Sequence, residues 1–293
     1  MQCSPLSQLR APAPRRIPGS VFTIVIENHS RDQVIGKAPF ITSLAQQYGL
    51  ARGYHDTFVH PSEANYLWMA SGENFDVLDD ADPDAHHLST TSHIADQLEQ
   101  AGLTWKAYQE GMGAPCGLKS HGRYAAKHNP FVFFDDVNGW DGTAFHPETR
   151  CNQHVVDYTE LDRDIASGTV PDYVFITPDL DHDMHDGSVQ ESDDWLRTEI
   201  TKIMATDAYK RGGVIFLMGD EGGGYPAQDD PPMVVISPLA KKAVVSDVDY
   251  DTSAYLKTVE TLLGLPAVPC DPAPDAVAVM DDLFDGSLVS LAQ

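Results

Sequence analysis

The sequence predicts an α/β protein with a mostly parallel central sheet, and three observations support this class. Strand-like apolar segments alternate with segments of helical spacing, an order typical of parallel sheets with helices between the strands. The stretch VFTIVI at 21–26 consists of β-formers and is typical of a strand buried on both faces. The chain has 293 residues, 42% of them hydrophobic, and shows no internal repeat. This length and composition are enough for the hydrophobic core of one large domain or two small ones.

The later elements follow in order along the chain. Helical spacing of apolar residues, with Ser92 as an N-cap in one case, predicts helices at 39–48, 92–101, 155–166, 192–206 and 253–263. Short apolar runs predict strands at 103–108, 172–177, 213–218 and 233–237. We expect 1–18, rich in Pro, Ala, Arg and Ser, to be a flexible tail and 19–293 to form a single domain. Its Gly- and Pro-rich segment at about 111–150 is predicted to be a long ordered insert.

Charge and composition exclude several classes of function. The formal net charge is −25, from 44 acidic and 19 basic residues, so the surface repels nucleic acid and anionic lipid headgroups. We therefore expect no nucleic-acid partner. No run of 18 apolar residues predicts a transmembrane segment, and the N-terminus lacks the apolar region of a secretory signal. Nothing in the sequence indicates an oligomeric state.

The four cysteines, Cys3, Cys116, Cys151 and Cys270, form no CxxC pair, which disfavours a thiolate zinc site. Cys116 and Cys151 flank the insert and would staple it in an oxidising compartment. Buried free thiols are the equal alternative.

Acidic and amide side chains follow three predicted strands. Glu27 and Asn28 follow the first, the acidic segment TPDLDHDMHD follows 172–177, and Asp220 and Glu221 follow 213–218. The carboxyl ends of parallel strands meet at one edge of a sheet, so these groups would converge there. Clustered carboxylates stay ionised together when a cation lies between them, which predicts a divalent metal centre. Turn formation or helix capping is the alternative for any one of them.

A candidate nucleophile lies between the first two clusters, in HPSEANYLWMASG at 60–72. Ser62 stands at a loop-to-helix junction, where a serine is most often an N-cap. An anion bound at the same position would be stabilised by the positive end of the helix dipole. Coordination of the Ser62 hydroxyl to a metal would lower its pKa and make it a nucleophile. Asn65, one turn later, could donate a hydrogen bond to a non-bridging phosphate oxygen.

Six segments together resemble successive blocks of the bacterial phosphoesterase family: IVIENHS, HPSEANYLWMASG, YAAKHNPFVFFDDV, FITPDLDHDMHD, FLMGDEGGG and SAYLKTVETLLGLP. That family contains acid phosphatases and phosphatidylinositol-phosphate phosphatases and belongs to the alkaline phosphatase superfamily. The resemblance runs from about residue 21 to 266. It implies an alkaline-phosphatase-like α/β/α sandwich and hydrolysis of a small-molecule phosphate ester, so 19–293 would be a catalytic domain.

The resemblance also implies roles for individual residues. Ser62 would form a phosphoserine intermediate, with Asn65 and His185 stabilising charge on the phosphoryl oxygens. The metal beside the nucleophile would be held by Glu27, Asn28, Asp220 and Glu221. His182, together with Lys127 and His128 of the insert, would contact phosphate or substrate.

A second metal would be held by Asp179, Asp183 and Asp251, of which the last two stand where the superfamily has histidine. This departure leaves one or two ions open and favours Mg²⁺, Mn²⁺ or Ca²⁺ over Zn²⁺.

The reaction remains open at this stage. A phosphomonoesterase is the leading hypothesis, and a phosphodiesterase or phospholipase C-type hydrolase is the alternative. A non-catalytic metal- or carbohydrate-binding protein on the same fold is the alternative from another class. A sulfatase is disfavoured because the CxPxR or SxPxR signature is absent. The family is commonly exported, which implies a secreted or periplasmic location, although no signal peptide is visible.

Overall fold

Eight strands form one sheet in the computed structural model, which describes residues 17–148, 150–223, 230–267, 277–286 and 288. The strands are β1 (Val21–Ile26), β2 (Gly49–Ala51), β3 (Trp105–Gln109), β4 (Val155–Asp157), β5 (Tyr173–Thr177), β6 (Val214–Gly219), β7 (Met233–Ile236) and β8 (Val244–Ser246). The α-helices are α1 (Arg31–Val34), α2 (Pro39–Gln47), α3 (Ser62–Ser71), α4 (Ile94–Gln100), α5 (Asp135–Asn138), α6 (Cys151–His154), α7 (Thr159–Ser167), α8 (Val189–Met204), α9 (Asp207–Lys210) and α10 (Thr252–Leu263).

The sheet has the order β4-β3-β5-β1-β6-β7-β2-β8 and is mostly parallel. β1 lies between β5 and β6 and runs parallel to both, whereas β7 is antiparallel to both of its neighbours. Every residue of β1, β5 and β6 is buried, which explains the uninterrupted apolar runs of these three central strands. The predicted α/β class is confirmed, and the three strands end at the same edge of the sheet.

Helices cover both faces of the sheet, which makes the molecule an α/β/α sandwich. Val21 and Val25 of β1 belong to a core shared with α3 and α10, and Phe22, Ile24 and Ile26 belong to a core shared with α2 and α8. Successive side chains of one strand therefore supply opposite faces. Within the described part of the chain, no helix combines the length and the apolar character needed to cross a membrane.

Two element predictions were wrong in detail. The helix predicted over 155–166 is a strand followed by a helix, because Val155 and Val156 pair with β3 at one end of the sheet. The helix predicted to use Ser92 as its N-cap begins at Ile94, and His93 is the N-cap. The strands β2 and β8 were not predicted, since three residues are too few for a periodic pattern.

The predicted tail and insert differ in how much of them the structure describes. Residues 1–16 of the tail lie outside the described residues, and Ile17 is buried in the core. The insert contains two short 3-10 turns, Ala126–His128 and Pro130–Phe133, and the short helix α5. A disulfide joins Cys116 to Cys151 with their Cα atoms 5.3 Å apart. Of the two alternatives, a bridge across the insert or free thiols, the structure has the bridge.

Candidate active site

Ser62 is the first residue of α3, immediately after the N-cap residue Pro61. Its buried hydroxyl donates a hydrogen bond to Glu27 Oε2 at 3.0 Å, which joins the helix to the end of β1. One turn later, the Asn65 amide donates to the Val59 carbonyl at 2.8 Å and to Glu221 Oε2 at 3.2 Å. The positive end of the α3 dipole therefore lies beside a hydroxyl and an amide, an arrangement suited to an anion.

Three completely buried carboxylates follow β1, β5 and β6 in the chain, Glu27 and Asp220 directly and Asp183 after a short loop. Burial, followed by repulsion from Asp220 and Asp183, raises the pKa of Glu27 well above its usual range. Burial is also the largest cause that raises the pKa of Asp183 and of Asp220 to about 8. One oxygen of each group, Glu27 Oε1, Asp183 Oδ2 and Asp220 Oδ2, has no hydrogen-bond partner among the residues that the structure describes.

The side chains at this edge of the sheet could hold a divalent cation. Among the described residues, Glu27, His128 and His185 present ligand atoms within 4.8 Å of one another, and Asp183 and Asp220 are not part of that set. An ionised buried carboxylate costs several kcal/mol, and a cation beside Glu27 would offset part of that cost. A carboxylate oxygen suits hard cations such as Mg²⁺, Mn²⁺ and Ca²⁺, and imidazole nitrogens suit Zn²⁺, so this set supports a metal centre where the sequence predicts one.

The other two residues predicted to hold this metal border the same group. Asn28 has a φ of 50°, and its backbone N–H donates to Asp220 Oδ1 at 3.0 Å. Glu221 turns towards the nucleophile's helix, where Oε2 lies 2.6 Å from His60 Nδ1 as well as near Asn65. The histidine partly offsets the burial that raises the pKa of Glu221.

His128 and His185 lie against the buried carboxylates. His128 places Nε2 3.4 Å from Glu27 Oε2 and Nδ1 3.3 Å from Asp183 Oδ2, and its ring stacks on Tyr66. Burial, with Lys127 and His185, lowers the pKa of His128 well below its usual range. Glu27, His128 and His185 present ligand atoms within 4.8 Å of one another. Because Ser62 donates to Glu27, both predicted histidines lie near the predicted nucleophile.

The side chain of Lys127 is held by Asp80, a residue that was not predicted from the sequence to belong to the site. Its ammonium donates to Asp80 Oδ2 at 2.7 Å, and Asp80 Oδ1 accepts the backbone N–H of Glu63 at 3.1 Å. Burial by itself would lower the pKa of Lys127, but Asp80, with Glu27 and Asp220 beyond it, raises it. Asp80 thus links the predicted substrate contact to the first turn of α3.

The residues predicted to hold a second metal have separate contacts. Asp183 faces His128, whereas Asp179 Oδ1 accepts the backbone N–H groups of Asp181 and His182 at 3.1 Å. His182 Nδ1 lies 2.9 Å from Glu110 Oε2, so Asp179, His182 and Glu110 form a cluster of their own. Asp251 is the N-cap of α10, where its Oδ1 accepts the N–H of Ala254 at 2.8 Å.

Sequence reasoning missed Asp80 and Glu110 and gave His60 little weight. Asp80 lies in the acidic segment DVLDDADPDA, whose density of carboxylates was an available signal. Glu110 directly follows β3, so the rule that active groups follow parallel strands could have found it.

Three comparisons relate this chain to known proteins. Residues 36–266 match the model of the phosphoesterase family. A probable acid phosphatase of Kluyveromyces lactis is 28% identical over 84% of this chain and 58% of its own length. A phosphatidylinositol-3-phosphatase of Mycobacterium tuberculosis is 28% identical over 84% of this chain and 77% of its own length.

Solved structures share the fold at low sequence identity. Human ectonucleotide pyrophosphatase/phosphodiesterase 5 superposes with a TM-score of 0.58 and 10% identity, covering 91% of this chain and 100% of that chain. The fold is thus the alkaline-phosphatase-like fold of phosphodiesterases and sulfatases, as predicted. The chain spans 47% to 58% of the length of the fungal acid phosphatases that it matches, and their source shows that such relatives are not confined to bacteria.

Proposed function

This chain belongs to the phosphoesterase family, and we propose that it is a metal-dependent hydrolase of phosphate monoesters that acts through a phosphoserine on Ser62. One observation carries the proposal: the Ser62 hydroxyl donates to Glu27, one of three buried carboxylates that each have an oxygen without a hydrogen-bond partner in the described part of the chain. A serine that only capped the helix would make its hydrogen bonds within that helix and would not need a buried carboxylate as partner. Relatives named as phosphatases support the same chemistry.

The metal would be held by Glu27, Asn28, Asp220 and Glu221, and the burial of Asp183 beside them adds a fifth candidate ligand. A bound divalent ion acts as a Lewis acid, stabilising negative charge on phosphoryl oxygens and making a nearby hydroxyl more acidic.

The chain's own groups divide the remaining work. The Ser62 hydroxyl donates to Glu27 Oε2, which can accept its proton as the Ser62 oxygen bonds to phosphorus. The bond between phosphorus and the ester oxygen breaks, and that oxygen takes a proton from solvent water and leaves as the alcohol. In this proposal Asn65, His128 and His185 donate hydrogen bonds to the phosphoryl oxygens, the role of an oxyanion site, and Asn65 exchanges its bond to Glu221 for one to phosphate. Water then breaks the bond between phosphorus and the Ser62 oxygen and releases phosphate.

A second ion held by Asp179, Asp183 and Asp251 is the weaker part of the proposal. Asp179 already accepts two backbone N–H groups, and Asp251 caps α10, so both carboxylates are partly satisfied by the protein. We therefore expect one firmly bound ion, with His182 near Glu110 at the outer edge of the site as a further substrate contact.

The test is hydrolysis of p-nitrophenyl phosphate and of bis-p-nitrophenyl phosphate, each with and without EDTA. Faster hydrolysis of the monoester, lost in EDTA and restored by Mg²⁺ or Mn²⁺, would support the proposal, and faster hydrolysis of the diester would favour a phosphodiesterase. Ser62→Ala should lower kcat by at least about 10³-fold. Ser71→Ala is the matched control, because Ser71 is equally buried at the other end of α3 and donates only to backbone carbonyls. Near wild-type turnover by Ser62→Ala would reject this nucleophile.

A further inference from the structure

Phe58 is the most exposed large apolar side chain among the described residues, with 72% of its surface open to solvent. Its φ is 57°, a left-handed conformation that bulky residues rarely adopt. Its N–H donates to Asp56 Oδ1 at 2.7 Å, and its ring stacks on His55 with the centroids 4.9 Å apart. The local structure therefore holds an aromatic ring outwards in a defined position.

The loop that carries Phe58 is bonded to the candidate active site on both sides of the ring. The Thr57 hydroxyl donates to Asn65 Oδ1 at 3.4 Å, and the Asn65 amide donates to the Val59 carbonyl at 2.8 Å. Asn65 is one turn beyond Ser62 in α3. The ring thus stands on the loop that leads into the nucleophile, and the amide of the site itself fixes that loop.

A second apolar side chain stands on another loop bonded to α3. Leu78 is 64% exposed, and Asp80, two residues later, accepts the backbone N–H of Glu63 at 3.1 Å. The two most exposed large apolar side chains of the described residues therefore stand on loops that are hydrogen-bonded to the first half of the nucleophile's helix. Val245, which is 46% exposed, lies instead on the edge strand β8.

The charges beside these two side chains are negative. The Asp249 side chain is 90% exposed and lies 3.1 Å from His55, and the Asp79 side chain is 71% exposed and follows Leu78 directly. The Lys127 ammonium is paired with Asp80, two residues after Leu78. A substrate with further anionic groups would be repelled here, whereas an uncharged apolar group would meet two apolar surfaces.

We propose that Phe58 and Leu78 bind the alcohol part of the substrate, so that the preferred substrates are phosphate monoesters of uncharged apolar alcohols. The inference rests on the proposed function only for the position of the phosphate at Ser62. An alkyl chain and an aryl ring share the chemistry that these side chains recognise, and they are separated by the choice of probe.

The test uses phosphonates, which bind but are not hydrolysed, on the metal-loaded full chain. We expect n-hexylphosphonate and phenylphosphonate to bind about tenfold more tightly than ethylphosphonate, as measured by calorimetry. Phe58→Ala should abolish most of that preference while changing the Kd of ethylphosphonate less than about twofold. Val245→Ala, a matched loss of an exposed apolar side chain, should leave the preference intact. The ratio of kcat/KM for hexyl and ethyl phosphate should follow the same pattern.

Equal affinity of the wild type for ethyl- and hexylphosphonate would overturn the inference, as would an equal loss for all three ligands in Phe58→Ala. A loss confined to phenylphosphonate in Phe58→Leu would identify the aryl ring as the preferred group. If Phe58→Ala does not fold, Leu78→Ala and Phe58→Ser decide instead, and an unchanged preference in both refutes the inference. Absence of ester hydrolysis by the wild type would refute the proposed function, and the phosphonate affinities would still decide this one.

Discussion

The disulfide between Cys116 and Cys151 should contribute a large part of the stability of this protein. It closes a loop of 35 residues that carries Lys127 and His128 to the candidate active site. In the chain-entropy model, cross-linking a loop of that length destabilises the unfolded chain by about 4 kcal/mol at 25 °C. Replacing both cysteines by alanine should therefore lower the free energy of unfolding by about that amount and, for a chain of 293 residues, lower Tm by about 6 °C.

Urea unfolding, followed by tryptophan fluorescence, measures this loss in the Cys116→Ala/Cys151→Ala variant. A reducing agent should shift the wild-type midpoint in the same direction and leave the midpoint of the double variant unchanged, which controls for effects of the reagent elsewhere. Activity at 25 °C should survive in the variant, since Lys127 and His128 keep their bonds to Asp80 and Thr177, but thermal inactivation should begin earlier. A loss of less than about 1 kcal/mol would refute the reasoning, because the loop would then be ordered or restricted in the unfolded chain without the bond.

Three further predictions concern acidic side chains. Asp220→Asn and Glu27→Gln each remove a charge from the buried group, so metal content by elemental analysis and activity should fall together; full metal content in both variants would place the ligands elsewhere. Asp251→Ala should leave one ion per chain after dialysis and metal re-addition and should lower stability by about 1 kcal/mol through loss of the α10 cap, whereas a fall from two ions to one would establish the second site. Burial, then Asp80 and Asp79, raises the pKa of Glu63 from 4.5 to about 9, so its contribution to stability is complete below about pH 4.5 and is lost as the pH rises towards 9. Glu63→Gln should accordingly lose less stability than the wild type between pH 5 and pH 8 in urea unfolding, and parallel curves for the two proteins would contradict the assignment.

The sequence by itself determined the fold class and the position of the central strands. Runs such as VFTIVI, DYVFIT and GVIFLM consist largely of β-formers and are short, which predicts buried strands, and the acids after parallel strands are expected at one edge of the sheet. The placement of Glu27 and Asp220 at that edge could therefore be predicted. Ser62 could be proposed as a nucleophile because its segment leads from a loop into a helix.

The tertiary structure alone decided which of these groups touch. Asp179 and Asp183 are four residues apart, yet one faces Glu110 and His182 and the other faces His128, a division that spacing along the chain cannot reveal. The sequence did not distinguish a disulfide between Cys116 and Cys151 from two free thiols, because the distance between two loops depends on what packs between them. Periodicity reports which face of an element is buried, but side-chain contacts between distant segments depend on the three-dimensional packing of all the layers at once.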